Sequence, residues 1–173
     1  VPIPPGVLRD DLERLASAHR VRVSKFLIWR TRGAMLNGAV IGLTPLARYI
    51  VLTDALLDAL TEPEVEAVAA HEVAHVKKRH MIWLAVAILG SAVLGGELTA
   101  LIADLFGLSG FAATVAGVVV SLTAVVLVLG LVSRRFEWQA DAFAARHLSQ
   151  ADQESPVITH EAASAMSGAL ARV

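Results

Sequence analysis

Cysteine is absent from this 173-residue chain, which removes disulfides and thiolate metal sites at once and leaves any bound metal to histidine and carboxylate. There is no basic excess either. Fifteen Lys and Arg against 16 Asp and Glu give a formal net charge of -1, which supplies no field for nucleic acid. Lys and Arg are missing altogether from Met81 to Ser133, where Glu97 and Asp104 are the only charges. No signal peptide with a basic start and an apolar core is visible, and the first residue is Val1 rather than Met. A fragment or processed form lacking its upstream part is therefore expected. What the chain has in abundance is apolar surface: 55% hydrophobic residues and a mean hydropathy of +0.62 exceed what a water-soluble domain of this length carries.

The run from Met81 to Ser133, free of Lys and Arg, is long enough for two spans, since one needs about 20 apolar residues. A helical hairpin turning near Gly95 to Gly110 is predicted. Lys77, Lys78 and Arg79 precede it and Arg134 and Arg135 follow it, while its turn has no positive charge. That asymmetry puts both ends on the cytoplasmic side. A multi-pass protein of a cell (inner) membrane is expected. The glycines at 90, 95, 96, 107, 110, 117 and 130 suit close helix packing in lipid. Glu97, near the far end of the first helix, is read as an interfacial residue.

Before the hairpin the chain reads as a small mixed layer. Leu8, Leu12 and Leu15 recur at helical spacing, with Asp10, Asp11 and Glu13 near the helix start where they suit its dipole. Val21 to Trp29, Ala39 to Leu43 and Tyr49 to Thr53 are rich in β-branched and aromatic residues and are separated by Gly33, Gly38, Gly42 and Pro45, so three strands are predicted. Thr61-Glu62-Pro63-Glu64 has the form of a capping box with proline in the first turn, announcing a helix from about Glu62. After Gln150, the stretch from Ala151 to Ser155 reads as a loop and Thr159 to Val173 as a short amphipathic helix. The boundaries expected are 1–80 and 134–173 for the two parts of a catalytic domain, the second truncated, with the hairpin at 81–133.

The helix that begins near Glu62 carries His71-Glu72-Val73-Ala74-His75. Residues four apart lie on one helical face, so His71 and His75 can present ring nitrogens to a single zinc ion. Zinc lowers the pKa of a bound water to about 7, and Glu72 beside it can take the proton as that water attacks a carbonyl. An HExxH string arises by chance in about one such sequence in a hundred, so context must support it. The support comes after the hairpin, in Glu137-Trp138-Gln139-Ala140-Asp141 on a helix running to about Leu148. Glu137 can be a third ligand, and Asp141, four residues on and on the same face, can accept the free N–H of a zinc-bound histidine. Taken without HEVAH, the pair would read as a solvated acidic face matched to Arg134 and Arg135.

These motifs, with Asn37-Gly38-Ala39-Val40-Ile41-Gly42 and Ile50-Val51-Leu52-Thr53-Asp54-Ala55-Leu56-Leu57 before them, resemble the HtpX-type and CAAX-prenyl-protease-type integral-membrane zinc metallopeptidases of the gluzincin group. The resemblance runs from roughly Val21 to Ala145. It implies an α+β, mainly helical zincin-like metalloprotease domain with a three-stranded sheet and an inserted transmembrane hairpin. By the same resemblance His71, His75 and Glu137 hold one Zn2+ per chain, Glu72 is the general base and Asp141 supports the site. Ala74 stands where many members have Gly, and Gly38 where many have Ala. Neither change removes a catalytic group.

A membrane-embedded zinc endopeptidase is thus expected, acting on protein or peptide substrates at the bilayer, in quality control or processing. The rival is a non-catalytic membrane scaffold that keeps a zinc site, and the intact Glu72 argues against it. Counting 1.5 Å per residue from Met81 and Ser133 places the zinc within about 10 Å of the membrane surface. Substrate is expected to bind as a strand along the edge of the Asn37 to Leu43 region. His19 is read as a surface residue and His80 as interfacial, while His147, His160 and Tyr49 are candidates for stabilising the tetrahedral oxyanion. Trp29, Trp83 and Trp138 are read as packing or interfacial residues.

Overall fold

The computed structural model describes residues 1–149 and 158–170. The expected loop from Ala151 to Ser155 and the last residues of the expected C-terminal helix lie outside them. The chain divides into two compact units, Val1–Arg79 with Trp138–Val173, and His80–Glu137.

The first unit opens with helix α1 (Val7–Ala18), which buries Leu12, Leu15 and Ala16 as its leucine spacing requires. Strands β1 (Lys25–Trp29), β2 (Gly38–Ile41) and β3 (Tyr49–Thr53) form one sheet in the order β1-β3-β2. The strands β1 and β3 run parallel, with Phe26 opposite Ile50, and β2 runs antiparallel to β3, with Ala39 opposite Val51. β3 is central, and its apolar run Ile50, Val51 and Leu52 is buried, as a strand flanked on both edges must be. The edge of β1 is covered by the first residues: Ile3 N–H donates to the Phe26 carbonyl at 3.0 Å, and Ile28 N–H to that of Val1. β2 is the other edge.

Two helices follow β3. A short one, α2 (Asp54–Ala59), is capped by the Thr53 hydroxyl, which accepts from Leu56 N–H. This element was not anticipated from sequence, because six residues carry too little periodicity to distinguish a helix from the end of a strand. Helix α3 (Glu62–Lys77) begins at the expected capping box, where Glu64 Oε2 accepts from Thr61 N–H at 2.8 Å and from the Thr61 hydroxyl at 2.9 Å. Its Ala67, Ala69, Ala70, Val73 and Ala74 are fully enclosed. Small side chains at these positions let neighbouring elements close on the helix from several sides while its histidines stay half-exposed. Helix α6 (His160–Leu170) contributes Ala162, Met166 and Ala169 to the same core. Gly168 lies against Glu64, where a Cβ would come to 2.5 Å from Oε1.

The second unit is a pair of long apolar helices. Helix α4 (His80–Phe106) has 27 residues and α5 (Gly110–Leu148) has 39, and both are long and apolar enough to cross a membrane. They pack through small residues: a Cβ on Gly95 would lie 3.0 Å from Ser121 Cα, and one on Gly117 would lie 2.9 Å from Thr99 Cγ2. Gly95 and Gly96 therefore lie inside α4 rather than in the turn, which is confined to residues 107–109. Glycine is used there for close approach instead of for a bend. Outward-facing Leu89, Val93, Leu101, Leu105 and Phe111 are exposed, a continuous apolar surface suited to lipid and not to water. α5 continues without a break through Arg134 and Arg135 to the end of the EWQAD segment and beyond, so its last eleven residues belong to the first unit.

Candidate metal centre

His71 and His75 stand one turn apart on α3, and their Nε2 atoms are 3.0 Å from each other. His71 Nδ1 is 2.9 Å from Asp141 Oδ1. A carboxylate can only accept, so this bond places the His71 proton on Nδ1 and leaves Nε2 as a lone pair aimed at the point shared with His75. The bond also fixes the turn of α5 that carries Glu137, one turn before Asp141. The ligand atoms of His71, His75 and Glu137 lie within 4.8 Å of one another, with the histidines half-buried and Glu137 exposed.

The fit to a cation can be tested on the nitrogens. Two ring nitrogens each about 2.0–2.1 Å from one tetrahedral ion stand about 3.3 Å apart, close to the 3.0 Å observed. Two imidazoles and a carboxylate are a borderline-hard donor set, and with one position open they suit a catalytic ion. The residues present therefore fit a metal.

Glu72 points from α3 toward the sheet, where its Oε2 accepts from the backbone N–H of Val40 in β2 at 3.1 Å. Position 38 permits that approach. A Cβ on Gly38 would meet Val68 Cγ1 at 2.7 Å and Glu72 Cγ at 3.6 Å, so glycine lets β2 lie close on α3. The Val40 contact was not found by sequence reasoning, since it depends on the strand order that makes β2 an edge.

Two polar networks support this framework. Asp54 Oδ1 accepts from Thr31 N–H at 2.9 Å, the Thr31 hydroxyl at 2.7 Å and Ala55 N–H at 2.9 Å, and Oδ2 accepts from Arg32 N–H at 3.0 Å. Hydrogen bonds from Thr31 above all hold its carboxyl far below the usual carboxylate range. The turn between β1 and β2, where Arg32 has φ 57° and Gly33 φ 80°, is thereby tied to the start of α2. The second network runs across three helices: Lys77 Nζ to His19 Nδ1 at 3.4 Å, His19 Nε2 to His147 Nδ1 at 3.0 Å, and His147 Nε2 to Glu66 Oε1 at 3.1 Å. Every donor finds an acceptor when both rings are neutral. Burial first, then the neighbouring His147 and Lys77, lowers the His19 pKa from 6.5 to about 4.

Several sequence expectations change here. His19 is half-buried against Phe143, at 4.4 Å between ring centres, and is not a free surface residue. His80, the first residue of α4, is 3% exposed and stacks on Phe136 at 4.2 Å between ring centres. His147 is engaged with Glu66 and lies ten residues, about 15 Å, beyond Glu137 along α5, too far for an oxyanion donor. Tyr49 begins β3, and His160 is exposed at the start of α6.

Comparison with known proteins gives the family. Residues 5–164 match the model of peptidase family M48. The chain belongs to that family. It is 33% identical over 159 residues to "CAAX prenyl protease 1 homolog" of Arabidopsis thaliana, an alignment covering 84% of this chain and 38% of that protein. It is 35% identical over 80 residues to "Protease HtpX homolog 2" of Methanosarcina acetivorans, covering 46% of this chain and 26% of the other. The crystal structure of S. mikatae Ste24p superposes with a TM-score of 0.63 at 23% identity, covering 87% of this chain and 41% of that one, which shows a shared fold. The chain thus spans about two fifths of the Arabidopsis protein and of Ste24p.

Proposed function

We propose that this M48 chain is the catalytic portion of a membrane-embedded zinc endopeptidase, one domain interrupted by a transmembrane hairpin. The observation that carries the reading is the convergence of His71, His75 and Glu137 ligand atoms within 4.8 Å, with Asp141 bonded to His71. In this reading His71, His75 and Glu137 hold one Zn2+ per chain, and the ion when bound supplies a water acidic enough to ionise near pH 7. Glu72, the next residue to His71, takes the proton of the attacking water and hands it to the leaving nitrogen. Asp141 keeps His71 in the tautomer that presents Nε2, and so acts as a positioning residue. Extended peptide pairs with the edge strand β2, whose partner β3 occupies only its inner side.

The substrates are proteins or peptides at a bilayer, which the two long apolar helices support. Multi-pass insertion in the cell membrane with the site on the cytoplasmic side rests on the basic residues flanking the hairpin at both ends. Glu72→Gln is the test. It keeps the shape of the side chain and should leave zinc bound, measured by metal analysis, while abolishing peptide cleavage. Retained cleavage refutes Glu72 as the base. Loss of zinc together with activity refutes its separation from the ligand set.

A further inference from the structure

Charge is distributed unevenly along the first unit. From Arg14 to Thr53 there are seven Lys and Arg and no Asp or Glu, although the whole chain carries a net charge of -1. Four of the seven gather at one end of the sheet. Lys25 and Ile41 both stand opposite Tyr49, so the connection from β2 to β3, residues 42–48, lies at the same end as the approach to β1 that carries Arg20 and Arg22. Arg48 staples the two: its Nη1 donates to the Arg22 carbonyl at 3.1 Å and its Nη2 to that of Leu43 at 3.0 Å, while Ser24 N–H donates to the Arg48 carbonyl at 2.7 Å. Gly42 closes the turn at φ 98°, where a side chain would collide with the Ala47 carbonyl. The connection is therefore a fixed tip. On it Leu43 is 71% and Leu46 90% exposed, and a hollow of about 800 Å3 separates Thr44, Pro45 and Leu46 from Ala16 and Ser17 of α1.

Two leucines held outward among exposed cations suit a partner that is apolar and anionic at once. A bilayer with anionic headgroups is such a partner, since aliphatic side chains enter the headgroup region while Arg and Lys bury their stems and keep their charge among the phosphates. The bilayer is also at hand, because the chain runs directly from residue 79 into α4, a helix long and apolar enough to cross one. We propose that the tip at residues 42–48 is a docking surface for an anionic lipid membrane, with Leu43 and Leu46 inserted among the headgroups and Arg20, Arg22 and Lys25 paired with their anionic groups. Nucleic acid fits the cations but not the tip, which presents aliphatic side chains where stacked bases need aromatic ones. Glu13, the acidic residue beside the hollow, is paired with Arg9 at 2.8 Å and does not cancel these cations. Docking brings the Ile41 end of β2 to the lipid, where a chain leaving the bilayer meets the edge strand. That consequence rests on β2 as the substrate edge, and the docking does not.

The chain has no cysteine, so a single introduced thiol carries a fluorophore at one place only. Thr44→Cys, exposed on the tip, is compared with Asp58→Cys, exposed on α2 at the other end of the sheet, each in the whole chain in nanodiscs of phosphatidylcholine alone or mixed with phosphatidylserine. In the anionic discs the label at 44 should be shielded from iodide and quenched by nitroxides on the lipid chains, and the label at 58 should not. Each cation near an anionic surface contributes about fivefold to docking, so Arg22→Glu with Lys25→Glu should lower the ratio of docked to free tip at least about tenfold. Raising the salt from about 0.1 M to about 1 M, which shortens the Debye length from about 10 Å to about 3 Å, should act in the same direction. Leu43→Gln with Leu46→Gln changes exposed side chains and should abolish the lipid quenching, with circular dichroism as the control for folding. A label at 44 that iodide reaches equally in both kinds of disc overturns the proposal. So does shielding without lipid quenching, which identifies a protein occupant, a second copy where it needs two chains per disc. These readouts use no cleavage, so their failure leaves the zinc and Glu72 assignments standing, and cleavage retained by Glu72→Gln leaves the docking standing.

Discussion

Replacing Asp141 with alanine isolates the contribution of a residue that touches no metal. The Asp141 carboxylate accepts from His71 Nδ1 at 2.9 Å, with the two side chains 32% and 14% exposed. A hydrogen bond to a charged group contributes about 1.5–3 kcal/mol, and partial exposure favours the lower half of that range. Orienting partners of metal-bound histidines typically account for 10–100-fold in metal affinity, which converts to about 1.4–2.8 kcal/mol, so two independent routes agree. Asp141→Ala should therefore raise the zinc dissociation constant about tenfold to thirtyfold while leaving the fold intact. Asp141→Asn is the sharper variant. Its amide can donate to His71 Nδ1, which moves the ring proton to Nε2, the atom proposed to bind the ion. It should lose as much affinity as alanine although its shape is conserved. The assay is zinc retention against a graded chelator at constant pH, with circular dichroism as the control for folding. Zinc affinity within twofold of the unsubstituted chain for both variants would show that His71 needs no partner.

Gly38→Ala places a methyl 2.7 Å from Val68 Cγ1, so it should destabilise by about 1–3 kcal/mol, with Val68→Ala restoring stability in the double variant; unchanged thermal stability would sink the packing argument. The His19 pKa is lowered on folding, so the unfolded chain binds a proton that the folded chain refuses, and stability should fall as pH drops from 6.5 toward about 4. The ring is part-exposed, which limits that loss to about 1 kcal/mol, and denaturation of His19→Gln should show a shallower pH slope over the same window. Asp54 is shifted down by its hydrogen bonds, so its contribution is present above the ordinary carboxylate range and fades as pH falls through and below it. Asp54→Ala should loosen the turn from Thr31 to Met35, seen as faster amide exchange there, and unchanged exchange would count against the tie.

Local pattern made much of this fold legible. The capping box fixed the start of α3, its apolar spacing fixed the helix, and i, i+4 spacing set both the histidine pair and the Glu137–Asp141 pair on shared faces. The three strands were visible from their β-branched runs, with ends displaced by up to four residues at Lys25 because Val21 is buried before the strand begins. What pattern could not reach depends on distant parts meeting. His19 and His147 are 128 residues apart in sequence, and nothing local to either announces the other. The order β1-β3-β2 determines which N–H groups face α3, and order is a property of the sheet as a whole. From sequence Gly95 reads as part of a turn because glycine serves bends and close contacts alike, and only Ser121 opposite it decides between them.

Helix α5 runs from Gly110 to Leu148 with no glycine or proline after Gly130. The azimuth of Glu137 is therefore counted, residue by residue, from the apolar segment that precedes it. Inserting one residue near Val132 would turn the segments on its two sides by about 100° relative to each other, and three or four would bring them back to within about 60° or 40°. Seven would leave an error of only about 20°. The length of this stretch is free to vary only in steps that keep phase, which makes the distance from the apolar segment to Glu137 a quantised property of the chain.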